Sequence, residues 1–424
     1  MRTVTRSNAG ELPVIKLPAG FLLGTATASL QIEGGDRNNN WFRWCESGKV
    51  ADGSHCLRAC DHWNRVKQDI ALQRELGVNA YRMSLEWSRI EPREGSFNQE
   101  VLARYREEIQ ALREAGITPM VTLHHFSNPL WLEDSGGWIQ RSIVDRFGRY
   151  TARVVETLGD LVEHWVTINE PGIYLAFGYL MGIWPPGRRS LRCWLRGAHN
   201  MVLAHQEAYR LIHAIQGASG RPTGVGVAHH LRVYDPASSE RRDKRAARRL
   251  ERHFQDFFLD RTVPHSDFIG VNYYSRDIVS FSWNPAQAFT RRSVSRNAVR
   301  NDLGWEIYPE GLSRVCTSLS QRYTLPLYIT ENGVADAADA LRTRFIYDHL
   351  AQVAQLLQRD VDLRGYFHWT LMDNFEWAEG ESGRFGLYEV DFDTQTRTLR
   401  DSGRFFGEVC RRNGVTRQMI RDYL

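Results

Sequence analysis

Short runs of apolar residues alternate with longer segments of helical period along the whole chain. Residues 61–76 carry apolar side chains at helical spacing, and Gly77 follows them as a helix terminator. Residues 100–115 repeat this arrangement before Gly116. Four side chains of the first segment would face a sheet: Trp63, Val66, Ile70 and Leu72. The alternation predicts βα units around a parallel sheet.

Strand-like runs occur at even intervals over the 424 residues. The predicted strands are residues 21–25, 80–84, 119–123, 165–169, 223–228, 268–272, 327–330 and 365–369. Such a series predicts an α/β fold, a closed (β/α)8 TIM barrel. No low-complexity linker interrupts it, so residues 1–424 are expected to form one domain. The active site should lie at the C-terminal ends of the strands, where the following loops meet.

Two stretches depart from this rhythm. Residues 236–253 form the strongest charge run, and their mixed signs without interleaved aromatic residues favour a solvated helix face over a nucleic-acid site. Residues 280–301 show no clear period and are predicted to form a long loop.

Composition and charge argue against several classes of function. The chain is 42% hydrophobic and 25% charged, which is typical of a globular protein with a sizeable core. A net charge of +4 is small for this length, so no nucleic-acid partner is expected. Residues 1–11 lack the apolar stretch of a signal peptide, and nowhere do about 18 apolar residues run together. We therefore expect a soluble, cytoplasmic protein with no membrane partner.

The six cysteines are scattered along the chain, as is typical of reduced thiols. Cys56 and Cys60 have a C-x3-C spacing, but no second pair lies near them. We expect neither a metal site nor a cofactor.

Polar side chains gather where the predicted strands end. Arg82 lies near the end of the second strand, Glu170 follows the fourth and Glu331 follows the seventh. A buried polar group costs about 1–3 kcal/mol unless it is paired. A purely structural barrel therefore has no need to collect such groups at one face. Others lie at the same ends: His124, His125, Asn169, Asn272, Tyr274 and Trp369.

Glu170 and Glu331 would stand nearly opposite each other across the barrel mouth. A glycosidic bond placed between them would find an acid for the leaving oxygen and a nucleophile or base for the anomeric carbon. Taken alone, either glutamate would more often be a salt-bridge residue at the barrel top. The neighbouring Asn, Tyr and Arg donors, and tryptophans able to stack on sugar rings, favour catalysis.

Two short segments make the comparison specific. Residues 167–171 (TINEP) and 329–333 (ITENG) resemble the acid/base and nucleophile signatures of glycoside hydrolase family 1, the β-glucosidase family. Further segments resemble that family in the same order, and the resemblance spans nearly the whole chain. These segments are residues 21–34, 81–92, 270–274, 301–311 and 369–391.

The resemblance implies a retaining, exo-acting β-glycosidase, with Glu170 as acid/base and Glu331 as nucleophile. Arg82 and the Tyr274 hydroxyl would hold Glu331 as a carboxylate, and the charge of Glu331 would raise the pKa of Glu170. Asn272 completes the predicted catalytic group. A retaining reaction also implies carboxyl groups about 5–5.5 Å apart.

The resemblance also implies a set of sugar contacts. Asn169 corresponds to the residue that binds the 2-hydroxyl, although a strand-end cap would explain it too. Trp369 corresponds to the platform under the sugar, and Trp305 to an aglycone-side residue that could equally belong to the core. Phe385 is placed with these substrate-binding residues. The remaining hydroxyl binders would be Gln31, His125, Glu376 and Trp377.

The chain departs from the family pattern at several places. Phe126 and Ser127 stand where Trp and Asp are usual, which predicts a less polar wall near the 3-hydroxyl. Residues 229–268 and the loop after Tyr274 look shortened, which would open the aglycone side. Members that act on 6-phosphorylated sugars carry Ser and Lys-x-Tyr after strand eight. This chain has Glu376 there, with no Lys or Tyr nearby, so unphosphorylated glucose, galactose or fucose is expected.

Two of three alternatives to the hydrolysis of a small glycoside conflict with the residues of this chain. A thioglucosidase would have Gln in place of Glu170, and a non-catalytic sugar-binding relative would lack one or both glutamates. A transglycosylase that uses alcohol acceptors stays open, since it differs only in the acceptor site. The sequence makes no prediction of oligomeric state.

Overall fold

The computed structural model describes residues 12–284 and 287–424. Its centre is a closed barrel of eight parallel strands, each paired with its neighbours in chain order, with β8 paired to β1 and β5 to β6. The strands are β1 (Leu22–Ala26), β2 (Ala80–Ser84), β3 (Thr118–His124), β4 (His164–Asn169), β5 (Gly224–Pro236), β6 (Phe268–Phe281), β7 (Leu327–Asn332) and β8 (Leu363–Trp369). The TIM barrel predicted from the sequence is confirmed.

One main helix follows each strand and covers the outside of the barrel. These helices are α1 (His62–Leu76), α2 (Gln99–Glu114), α3 (Ile143–Leu158), α4 (Leu191–Gly217), α5 (Arg241–Leu250), α6 (Glu310–Arg322), α7 (Arg342–Gln358) and α8 (Asp401–Arg412). Gly77 ends α1 in the left-handed conformation, with φ of 75°, as its place after the periodic segment predicts. Val66 and Ile70 are buried on α1, whereas Trp63 and Leu72 are partly buried against the core.

Short elements fill the connections. The additional α-helices are Ser29–Glu33, Asn40–Glu46, Trp87–Ile90, Leu130–Asp134, Pro171–Leu175, Phe257–Thr262 and Arg417–Tyr423. Single turns of 3-10 or π geometry are Gly137–Ile139, Ala176–Met181, Glu251–Asp256, Val263–His265 and Trp377–Glu379. The short strands outside the barrel are Ile15–Lys16, Thr290–Ser293, Tyr388–Asp391, Thr396–Leu399 and Gly414–Val415.

The prediction of a long loop over residues 280–301 is wrong. β6 continues to Phe281 and pairs antiparallel with Thr290–Ser293, so that Phe281 faces Thr290 in the register. β5 also extends beyond its predicted end and follows β6 as far as Val279. Val279 packs against the buried side of α5, which gives this hairpin a small apolar cluster of its own.

The charge run over residues 236–253 contains α5, and its cationic side chains are largely exposed. Ala246, Ala247 and Leu250 are buried on the opposite side. This is the solvated helix face that the mixed charges predict.

No helix in the described ranges is long and apolar enough to cross a membrane. The prediction that concerned residues 1–11 lies outside the described residues.

Candidate active site

The predicted site residues meet at the C-terminal ends of the barrel strands. Glu170 directly follows β4 with a left-handed backbone, φ of 41°, and Pro171 then begins a short helix. Glu331 lies within β7, and Gly333 follows it where a side chain would collide with the Trp369 carbonyl. The Asn-Glu-Pro and Glu-Asn-Gly sequences therefore suit sharp changes of direction at the strand ends.

The Glu331 carboxylate receives two strong hydrogen bonds. Arg82 on β2 donates Nη1 to Oε1 at 2.5 Å, and Tyr274 on β6 donates its hydroxyl to Oε2 at 2.6 Å. Burial, followed by the Glu331 charge, raises the pKa of Tyr274, so this phenol stays protonated and acts as a donor.

The two donors do not bring the pKa of Glu331 below its ordinary value. Burial and the nearby Glu170 carboxyl raise it, Arg82 and Tyr274 lower it, and the outcome is a pKa of about 7. Arg82 and Tyr274 thus act in the direction expected from the sequence, and burial outweighs them. Glu331 is only 3% exposed.

Glu170 has an amide and an imidazole as its partners. Asn272 donates Nδ2 to Glu170 Oε1 at 2.8 Å, and His230 Nδ1 lies 3.1 Å from the same oxygen. Asn272 also pairs with Glu331 in the register of β6 and β7, so it stands next to both carboxyl groups.

Sequence reasoning missed His230. The predicted fifth strand ended at residue 228, whereas β5 continues to Pro236 and pairs His230 with Asn272. His229 and His230 follow the predicted strand as an adjacent pair, and strand alternation lets only one of two such side chains face the site. Extending the predicted strand by two residues would have made this pair a candidate.

Asn169 fixes the state of His125. Its Oδ1 accepts hydrogen bonds from Arg82 at 2.7 Å and from Asn272 at 3.0 Å, so its amide nitrogen faces His125 Nε2 at 3.0 Å. Burial, followed by the Arg82 charge, lowers the pKa of His125 far below its ordinary value. The ring is therefore neutral and carries its proton on Nδ1, for which no residue in the described ranges is a partner.

Gln31 and Glu376 form a second polar group at the same end of the barrel. The Gln31 amide donates to Glu376 Oε2 at 3.1 Å and to the Phe375 carbonyl at 2.9 Å. Gln31 Oε1 is buried and has no hydrogen-bond partner within the described part of the chain. Burial, followed by the Glu331 charge, raises the pKa of Glu376 to about 8.

Aromatic rings enclose these polar groups. Trp369 and Trp377 stack with the His125 ring at centroid distances of 6.0 and 5.8 Å. On the other side, Trp305 and Phe385 contact the Tyr274 ring at 5.8 and 6.3 Å. Trp305 is only partly buried, so it belongs to the rim of the site as well as to the core beneath it.

The two departures after His125 make the adjoining wall apolar. Phe126 packs against Trp377 at 5.1 Å and Trp184 at 5.0 Å. The Ser127 hydroxyl donates to the buried Glu86 carboxyl at 2.8 Å. Burial raises the pKa of Glu86 to about 7.

Comparison with known proteins gives a consistent result. Residues 14–266 and 264–415 match the model of Glycosyl hydrolase family 1. The chain is 36% identical to Beta-glucosidase A of Thermotoga maritima, over 95% of this chain and 99% of that protein. It is 34% identical to Beta-glucosidase A of Acetivibrio thermocellus, over 94% and 99% of the two chains.

Solved structures agree over the same span. The beta-glycosidase from Pyrococcus horikoshii superposes with a TM-score of 0.90 at 38% identity, covering 97% of this chain and 98% of that one. The Thermotoga maritima beta-glucosidase in complex with glucoimidazole superposes with a TM-score of 0.89 at 35% identity, covering 95% and 100%. By sequence, fold and the site at the barrel mouth, this chain belongs to glycosyl hydrolase family 1 and is a β-glycosidase.

Proposed function

We propose that the protein is a retaining, exo-acting β-glucosidase that works through a covalent glycosyl-enzyme intermediate. The observation that carries this proposal is the unequal environment of the two glutamates. Glu331 is held by a cation and a phenol, from Arg82 and Tyr274, whereas Glu170 is held by the neutral Asn272 amide and by His230. The fixed positive charge beside Glu331 suits a nucleophile that must be ionised, which leaves Glu170 as the acid/base.

In the first step, a Glu331 oxygen attacks the anomeric carbon and the bond to the glycosidic oxygen breaks. Glu170 gives its proton to that oxygen, which leaves as an alcohol. Glu170 has given up its proton in this step, so it is now a carboxylate and can act as the general base that takes a proton from the attacking water. Attack by this water breaks the ester and returns the sugar with its original configuration.

Unpartnered polar atoms in the pocket suit a neutral sugar. We assign Gln31 Oε1 as an acceptor and His125 Nδ1–H as a donor for sugar hydroxyls, beside Asn169 for the 2-hydroxyl. Trp369 would lie under the ring, Trp377 and Glu376 would contact its hydroxyls, and Trp305 and Phe385 would face the aglycone.

The charges after β8 disfavour a phosphorylated sugar. Glu376 offers no positive charge to a phosphate. The nearest cation along the chain, Arg384, donates to the Val390 carbonyl at 2.9 Å and lies over the Phe392 ring. Unphosphorylated glucosides are therefore the proposed substrates, with galactosides and fucosides as possible alternatives at the same site.

The whole chain, residues 1–424, is proposed to act as one domain on small glycosides, without nucleic acid as a partner. We also propose a cytoplasmic location, for which the support is that all six cysteines, each within the described ranges, are free thiols.

The test is rescue of the nucleophile variant. Glu331→Gly should lose hydrolysis of an aryl β-glucoside, and azide should restore turnover with an α-glycosyl azide as product, because it attacks from the vacated side. Glu331→Gln is the matched control, since it removes the nucleophile without opening space and should not be rescued. Full activity of Glu331→Gly without azide would refute the assignment.

A second variant tests the acid/base. Glu170→Ala should still be glycosylated by substrates with good leaving groups, and the intermediate should accumulate because no base activates water. Loss of glycosylation and deglycosylation alike would contradict the role. Adding an alcohol to the wild-type reaction and measuring alkyl glycoside against free sugar distinguishes hydrolysis from transglycosylation.

A further inference from the structure

A cluster of soft metal-binding side chains lies apart from the proposed sugar site. Cys45 and Glu46 end the helix Asn40–Glu46, and His55 and Cys56 lie in the turn that follows it along the chain. Donor atoms of Cys45, His55 and Cys56 all lie within 4.8 Å of one another. The C-x3-C spacing noted in the sequence is not the basis of this cluster, because the Cys60 thiol instead donates to the Asp373 carbonyl at 3.1 Å.

Both nitrogens of the His55 ring have hydrogen-bond partners in the structure. Nδ1 accepts a hydrogen bond from the Leu57 amide at 3.0 Å, and Nε2 lies 3.0 Å from a Glu46 carboxylate oxygen. A metal bound through either nitrogen would replace one of these contacts. Glu46 is outside the set of donors that meet within 4.8 Å.

A divalent cation between Cys45 and Cys56 would bind both sulfurs as thiolates. Its binding would therefore release the two thiol protons to solvent.

We propose that Cys45, His55 and Cys56 bind Zn²⁺, with water as the fourth ligand. Two thiolates and one imidazole form a donor set that zinc favours in tetrahedral geometry. Bond lengths of about 2.0–2.3 Å place tetrahedral ligand atoms about 3.3–3.8 Å apart, which lies within the observed limit. This site departs from the expectation, drawn from cysteine spacing alone, that the protein has no metal.

The position of the site indicates a structural role. The helix Asn40–Glu46 carries Trp41, whose ring lies 5.0 Å from Trp377 and whose Nε1 donates to the Phe126 carbonyl at 3.2 Å. The segment between helix and turn is tied to the loop after β8, because the Ala51 amide donates to the Ala378 carbonyl at 2.8 Å. Zinc would fasten this helix to the segment that supports the loop of Glu376 and Trp377.

The experiment measures zinc directly on the full chain. The purified protein is stripped with chelator under reducing conditions, loaded with ZnCl2 and desalted, and its zinc content is determined by elemental analysis. We expect about one Zn²⁺ per chain and a Tm that rises on loading. Co²⁺ in place of Zn²⁺ should give thiolate-to-cobalt charge-transfer absorption.

Cys45→Ser and Cys56→Ser should each lose the bound zinc and the cobalt absorption, whereas Cys193→Ser, a partly buried cysteine outside the cluster, should keep both. Should a serine variant fail to fold, His55→Ala at the partly exposed ligand provides the same comparison. Wild-type protein that retains no zinc, or a Cys193→Ser variant that loses as much as Cys45→Ser, would overturn the proposal. Thiol titration showing a Cys45–Cys56 disulfide in the chelator-treated, reductant-treated protein would overturn it as well.

Discussion

Arg82 illustrates how a single buried side chain joins the strands of the site. It donates to Thr122 on β3, to Asn169 beside Glu170, and to both the Thr330 carbonyl and the Glu331 carboxylate on β7. A fully buried cation is tolerated only with such partners. Replacing Arg82 would disturb all of them together, so Tyr274 offers a cleaner test of how Glu331 is held.

Tyr274→Phe should lower kcat/KM by about ten- to a hundredfold, because a hydrogen bond to a charged group contributes about 1.5–3 kcal/mol. It should also move the acid limb of the kcat/KM profile to higher pH. The sign follows from the contact, since the Tyr274 hydrogen bond lowers the pKa of Glu331 and its removal raises it further above the ordinary value. The measurement is a pH-rate profile with an aryl β-glucoside.

Tyr273→Phe is the matched control. The Tyr273 hydroxyl donates to the Tyr308 carbonyl at 2.6 Å, away from both glutamates. Tyr273→Phe should leave the acid limb of the kcat/KM profile in place. An acid limb that moves equally in both variants, or in neither, would contradict the role given to Tyr274.

Most residues of the site can be predicted from the sequence, and the features that cannot be predicted have physical causes. Strand ends locate Glu170 and Glu331, and the family resemblance selects His125 rather than the adjacent His124. The pKa of Glu331 did not follow, because it depends on how deeply the group is buried, a property of the assembled barrel. His230 was missed because β5 continues beyond the end that its apolar run predicts.

The helices can be tested one at a time, and α2 is the simplest case. Asn98 caps it by accepting hydrogen bonds from the Glu100 amide at 3.0 Å and the Val101 amide at 3.2 Å. Asn98→Ala should lower the free energy of unfolding by about 1 kcal/mol and leave kcat unchanged well below Tm. Thermal unfolding followed by circular dichroism measures the effect.

Gln99→Ala is the control for this change, because it alters an exposed neighbour that does not cap the helix. Equal Tm values for the two variants would show that the cap contributes nothing measurable.

The elements predicted best are those whose pattern is local. All eight barrel strands begin within two residues of their predicted positions, since each is a short buried run. The hairpin of β6 with Thr290–Ser293 was not predicted, because the pairing depends on a distant partner. The extended part of β6 contacts the segment that carries Trp305. Arg276 on β6 makes two hydrogen bonds to Glu306, the residue after Trp305, at 3.0 and 2.9 Å.

At the scale of the whole molecule, buried carboxyl groups make stability depend on pH. Glu86 is 1% exposed, and its pKa is raised from 4.5 to about 7 by burial, followed by the nearby Asp36 charge. Since the folded protein holds this proton more tightly than the unfolded chain, the stability it contributes is complete below pH 4.5 and is lost as pH rises through 7.

Glu86→Gln removes this dependence. The difference in Tm between variant and wild type should therefore increase from pH 5 to pH 8, with a gain of about 2–3 kcal/mol at the upper end. Three serine hydroxyls bond Glu86 and can rotate to suit an amide: Ser29, Ser88 and Ser127. Calorimetry across this pH range measures the effect, and the exposed Glu100→Gln should show none. A Tm difference that stays constant with pH would rule out Glu86 as the source.

Because the strands form a closed ring, activity should return late when the denatured protein refolds. Glu170 follows the fourth strand and Glu331 lies in the seventh, so each half of the chain supplies one glutamate, and Arg82 of the first half reaches Glu331 of the second. Secondary structure can return in either half separately, whereas turnover requires the two halves to join, with β8 pairing with β1 and β4 pairing with β5. Regained hydrolysis in a refolding experiment therefore marks the completion of the ring, and it should lag behind the return of helical circular dichroism.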